Sequence, residues 1–156
     1  MKTKELQTRW HEWLKASDAL LLVLHEQTAA VTLRDVGRVE RLQPQLEKHM
    51  AGIAEIDAKA VDQARQLSEQ LGTEPTLRGI VEKLDRSEGQ TLHALANKVT
   101  MAARKVQATI EKNRVLLENE MTYVNGTLTL IAKAAGSPPT PYRRRVAEPV
   151  LMDAAA

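Results

Sequence analysis

Residues 39–71, VERLQPQLEKHMAGIAEIDAKAVDQARQLSEQL, repeat an apolar pattern every seven residues. The repeat has two rows, one of Val39, Leu46, Ile53, Ala60 and Leu67, and one of Leu42, His49, Ile56 and Gln63. A seven-residue apolar spacing is typical of a long helix that packs lengthwise against another helix. The following Gly72 is the kind of residue that ends a helix. The stretch therefore predicts a long rod at the centre of an all-helical fold.

The sequence on both sides of this rod carries further helical patterns. Apolar side chains recur at three- and four-residue steps from Leu6 to Val31 and again from Leu92 to Ile131. Thr32 followed by Asp35 resembles a helix-start cap, which places the start of the central helix near residue 33. The predicted helices cover residues 3–31, 33–71, a short 76–84, and 87–135.

Isolated amphipathic helices of this length are unstable in water, so they must pack on one another. We predict an all-α fold, an elongated antiparallel helical bundle with long coiled-coil-like helices. A single helical domain is expected over residues 1–136. The remaining residues 137–156, SPPTPYRRRVAEPVLMDAAA, are Pro-rich and basic and are predicted to form a flexible tail.

Composition excludes several classes of function. The net charge of the 156-residue chain is only +2, which argues against a nucleic-acid partner. There is no Cys for a disulfide, a thiolate nucleophile or a Cys-built zinc site. The longest apolar run, Ala19 to Leu24, falls far short of the ~20 residues that a bilayer needs. We predict a cytoplasmic protein without stable membrane insertion.

Residues 116–136, LLENEMTYVNGTLTLIAKAAG, combine two conflicting signals. One helix face carries five apolar residues: Leu117, Met121, Val124, Leu128 and Ile131. The Asn125-Gly126 pair in the middle is a strong turn signal. The poor helix formers cost roughly 4 to 5 kcal/mol relative to alanine. Burying the five apolar side chains would return roughly 8 to 15 kcal/mol. We expect a helix that is stable when covered and frays from Gly126 when uncovered, as a docking segment would.

Two longer stretches resemble the FlgN-type flagellar export chaperones. Residues 20–72 have a Leu-rich run before Glu26, followed by Asp35, Ile53 and Ile56, and by a closing Leu-Gly. Residues 111–142, EKNRVLLENEMTYVNGTLTLIAKAAGSPPTPY, resemble the family's ending. There an Asn begins an apolar segment, a Val-x-x-x-Leu helix follows, and a Gly precedes a Pro-rich stretch and a tyrosine.

The resemblance implies a chaperone without enzymatic activity and without a cofactor. Its expected partners are the hook–filament junction proteins of the FlgK and FlgL type and the flagellar type III export gate. The family's C-terminal helical region binds the C-terminal helices of those clients. In this chain that role falls on Leu117, Met121, Val124, Leu128 and Ile131. Tyr123, beside this row, is a candidate contact for the export gate.

Alternative functions rest on weaker patterns. A histidine phosphotransfer bundle would use His93 in LHALANKV, but Ala96 and Asn97 stand where Lys-Gly would be expected. A homodimeric coiled-coil module would use the seven-residue row through Leu46 and Ile53, although that row can equally pack inside one subunit. Metal-dependent hydrolysis is disfavoured, because no His is followed by a second His four residues later. No metal site and no catalytic residue are therefore predicted.

Overall fold

The computed structural model of the protein describes residues 2–136. This part of the chain forms four helices and contains no strand. The helices are α1 (Lys4–Thr32), α2 (Val36–Leu71), the short α3 (Leu77–Glu82) and α4 (Arg86–Ala135). The prediction of an all-α helical bundle is thus confirmed. The predicted tail, residues 137–156, lies outside the described residues.

Side-chain caps and left-handed glycines fix where the helices begin and end. Asp35 accepts a hydrogen bond from the backbone N–H of Arg38 at 3.1 Å and is the N-cap of α2. The predicted start of this helix near residue 33 is therefore wrong, because Thr32 is the last residue of α1 instead. Gly72 ends α2 with a φ of 66°, a conformation that glycine adopts without steric cost. Asp85 caps α4 by accepting from the N–H of Glu88.

Helix α1 is the central element of the bundle. It packs against both α2 and α4, whereas no Cα atoms of α2 and α4 within the described region come within 8 Å of each other. The long helices run up, down and up, so that successive long helices are antiparallel and α1 is parallel to α4. Two contacts show this parallel register, since Thr3 bonds to Glu88 and Thr28 to Asn113, each pair 85 residues apart.

The core is aliphatic, with two tryptophans of α1 completely enclosed. Trp10 and Trp13 are buried together with Leu20 and Leu24. The seven-residue row of α2 is also buried, from Val39 through to Leu67. This row therefore packs inside one subunit. A coiled-coil dimer through the same row would instead need these side chains to contact a second subunit.

Helix α4 is longer than the helices beside it. Residues of α1 lie opposite residues of α4 that come 85 positions later in the sequence. Thr32, the last residue of α1, therefore lies opposite Leu117. The 18 residues from Glu118 to Ala135 (135 − 117) extend past that point. At 1.5 Å per residue they project roughly 27 Å. The projection remains helical through Asn125-Gly126, where the local sequence favours a turn.

Candidate functional site

A buried polar cluster fastens α4 to α1 just before the projection begins. Asn113 is almost completely buried, and its amide nitrogen donates to the Leu24 carbonyl and to Gln27 Oε1, both at 2.9 Å. The Thr28 hydroxyl donates to Asn113 Oδ1. A buried amide satisfied in this way fixes one register between two helices, because a slip would leave its polar atoms without partners. The projecting segment therefore starts from a fixed point.

The five predicted docking residues form one continuous row that begins just before the projection and continues along it, here called the front ridge: Leu117, Met121, Val124, Leu128 and Ile131. Leu117 is partly buried against the core, and Met121 is half-buried. Beyond them the row is open, with Val124, Leu128 and Ile131 exposed by 41%, 37% and 59%. Within residues 2–136, the helices cover the beginning of the front ridge and leave its outer part exposed.

An apolar groove of about 170 Å³ lies between the α1–α2 turn, the start of α2 and the inner part of the projection. Its lining comprises Val31, Arg34, Val36, Val39, Leu117, Glu120, Met121, Tyr123 and Val124. The groove thus joins the inner part of the front ridge to the start of α2. Val36, exposed by 63%, forms the outer edge on the α2 side.

Arg34 holds the α1–α2 turn beside α4. Its Nε lies 3.1 Å from Glu120 Oε2, and its guanidinium carbon lies 4.5 Å from the ring centroid of Tyr123. Arg34 has a φ of 55°, in the left-handed region that costs a non-glycine residue roughly 1 to 2 kcal/mol. The ion pair and the cation–π contact offset part of that cost. The ion pair also sets the two charged side chains that line the groove, Arg34 and Glu120, against each other.

A second apolar row, the side ridge, runs along another flank of the same helix. It consists of Leu116, Tyr123 and Leu130, spaced by seven residues. Tyr123 and Leu130 are exposed by 57% and 70%. Sequence reasoning identified Tyr123 but missed Leu116 and Leu130 as part of a site, although their spacing of seven was a readable signal. It also missed Arg34 and Val36.

The projection has no charge along most of its length. No Asp, Glu, Lys, Arg or His occurs between Met121 and Ala132. Exposed helices of monomeric proteins normally carry charges on their open faces, and contiguous exposed apolar surface marks an interaction site. The front ridge, the side ridge and the groove together suit packing against other helices.

The features required by the alternative functions lie elsewhere or are not assembled. His93 is exposed on the covered half of α4, more than twenty residues before the front ridge. Within residues 2–136, no three His, Asp or Glu side chains are grouped so that they could hold a metal ion. None of the described helices has the length and apolar character needed to cross a membrane.

The fold is a helical bundle from which α4 projects with exposed apolar side chains. A comparison with family models gives a match to the FlgN protein family over residues 1–147. The chain belongs to the FlgN family, a family of flagellar export chaperones. The resemblance seen in the sequence is therefore confirmed. No curated protein and no solved structure gives a significant match.

Proposed function

We propose that the protein is a cytoplasmic export chaperone for hook–filament junction proteins of the FlgK and FlgL type. It holds the C-terminal helix of such a client against the front ridge and delivers the client to the flagellar type III export gate. Membership of the FlgN family supports the general role. The family is one of chaperones and not of enzymes, which supports binding without chemistry.

The observation that carries this proposal is the open outer half of the front ridge. Val124, Leu128 and Ile131 are exposed on a helix that has no charge for twelve residues. Each side chain of this size gains roughly 1.5 to 3 kcal/mol when it is fully buried. A client helix with its own apolar face would supply that cover, and the groove beside Val36 would receive the inner end of the client helix.

The proposed role of Tyr123 is separate from that of the front ridge. Its ring lies under the Arg34 guanidinium and remains more than half exposed. An exposed aromatic ring beside a client site is available to a second partner, and we assign it to the export gate. The assignment rests on this exposure and on family membership.

The test is a double substitution, Val124→Asp with Leu128→Asp, measured by titration calorimetry with a junction-protein fragment. Two carboxylates in an apolar interface would be buried without partners, so binding should be abolished. The matched control is Met101→Asp, because Met101 is exposed by 70% on the covered half of the same helix. Wild-type binding should show a negative heat-capacity change, as expected for apolar burial.

Circular dichroism completes this test. The double variant should keep the helical content of residues 1–110, because neither side chain belongs to the core. Unchanged client affinity in a folded double variant would place the client site elsewhere. Light scattering of the free and client-bound protein addresses the coiled-coil alternative, which requires a homodimer that forms without any client.

A further inference from the structure

The width of the buried arc on α1 and α2 follows the number of long helices packed against each. On α1, which packs against both α2 and α4, the buried residues from Leu21 to Ala30 span about 180° of the helix circumference at 100° per residue. On α2, whose long neighbour is α1, the buried arc from Leu67 to Met50 spans only about 100°. In this protein a narrow buried arc packs against one long helix, and a wide buried arc packs against two.

The covered half of α4 buries a narrow arc, whereas the projection carries a wide arc of apolar side chains. From Leu92 to Asn113, where α1 is the long neighbour, the buried side chains span about 100°. On the projection, the apolar side chains from Met121 on one flank to Leu130 on the other span about 180°. The apolar arc of the projection is therefore about as wide as the arc that α1 buries between two long helices. The opposite half of the projection carries polar residues such as Thr122, Asn125 and Thr129.

We propose that the projection is held between two amphipathic helices of one partner, one on the front ridge and one on the side ridge. This inference rests on the proposed function and adds a second client helix to it. The centres of the two ridges lie about 120° apart, and one helix covers an arc of about 100°. A single client helix would leave Leu130 and much of Tyr123 in water. Because the second helix covers the Tyr123 ring, the contact of Tyr123 with the export gate would be limited to the free chaperone.

The structure also indicates the chemistry of these helices. The front ridge continues the face by which Val106 and Ile110 pack into the bundle, so the first client helix takes the place that α1 occupies lower down. Because the projection has no charge from Met121 to Ala132, the facing sides of both client helices must be apolar, with their charges on the outer sides. The length of the projection calls for about 18 residues in each helix.

Photo-crosslinking on the full chain in complex with a junction-protein client tests the arrangement. A photoreactive amino acid is placed at Leu128 on the front ridge or at Leu130 on the side ridge, and the crosslinked client peptides are mapped. The two positions should capture different helical segments of the client. Capture of the same client segment from both positions, or capture of a second chaperone copy from Leu130, would overturn the inference.

Client affinity provides an independent test. Leu130→Gln should weaken binding at least tenfold, because an interface would bury the amide in place of an isobutyl group. Met101→Gln is the control, since Met101 is equally exposed on the same helix and should leave affinity unchanged. If Val124→Asp with Leu128→Asp abolishes binding while Leu130→Gln has no effect, the second helix is refuted and the client site stands. If neither has an effect, both proposals fail.

Discussion

Replacing Gly126 by Ala should stiffen the projection without changing its contacts. A methyl group at Gly126 would meet no atom within 4 Å, and the residue lies in regular helix. Glycine in an exposed helix interior is about 1 kcal/mol less favourable than alanine. If the projection opens locally while the bundle stays folded, that 1 kcal/mol raises the free energy of local opening. Amide exchange over residues 122–135 should then slow by about fivefold.

Gly52 provides the matched control in the body of the bundle. It also lies inside a long helix, and a methyl group there would likewise meet nothing within 4 Å. Gly52→Ala should therefore raise the free energy of global unfolding by about the same 1 kcal/mol. Gly126→Ala should leave global unfolding almost unchanged, because a segment that opens separately does not contribute to it.

Hydrogen–deuterium exchange by mass spectrometry and urea unfolding measure the two effects. Each substitution should act in its own assay: Gly126→Ala should slow amide exchange in the projection, and Gly52→Ala should raise the free energy of global unfolding. Preordering should also tighten client binding by up to about fivefold, since less ordering remains to be done on association. An equal rise in global stability from both substitutions would refute the view that the projection opens independently.

Two further predictions concern the contacts that tie α4 to α1. Asn113→Ala should destabilise the fold by about 2 to 4 kcal/mol in urea unfolding, because it creates a cavity and removes the hydrogen-bond partner of Gln27 and Thr28. The control is Asn119→Ala. Asn119 is exposed, so this substitution should change stability by less than about 0.5 kcal/mol. At the other end, the backbone N–H and the hydroxyl of Thr3 donate to Glu88 and lower the pKa of this carboxyl. The ionised Glu88 therefore stabilises the fold at pH values above about 4.3, which is the pKa of Glu in the unfolded chain. This stabilisation is lost as the pH falls towards the lower pKa of Glu88 in the folded protein. Glu88→Gln should thus be less stable than wild type at pH 7, and the difference should shrink in urea titrations near pH 3. If wild type and Glu88→Gln differ in stability by the same amount at both pH values, the charge of Glu88 does not contribute to stability.

The bundle could be predicted because its signals are periodic and redundant. Five residues of α2 recur at intervals of seven, and all five are buried. The helix end at Gly72 follows from local capping chemistry that needs no tertiary information, whereas α4 begins at Arg86 after its N-cap Asp85, one residue before the predicted start at 87. The start of α2 was misplaced because Thr32 and Asp35 are both good caps, and only the packed structure shows that Thr32 continues α1.

The site was predictable only where it lies on a single helix. The front ridge can be derived from the spacing of apolar residues in α4, although its assignment as the client site stays a prediction. The contribution of Arg34 and Val36 could not be derived, because it depends on a register of 85 residues that places the α1–α2 turn beside Glu120. That register is set by buried polar partners of Asn113, which no local pattern identifies.

The same register explains why Asn125-Gly126 is helical despite its turn signal. Starting a helix is the costly step, and extending one that already exists costs only the propensity of each added residue. The bundle fixes α4 as far as Asn113, so the projection inherits a helix start that it could not form on its own. What remains is a helix of low intrinsic propensity whose apolar sides are open, with its weakest residue, Gly126, between Val124 and Leu128. A segment in this position gains most of its stability from whatever covers it, so client binding and helix order should rise and fall together.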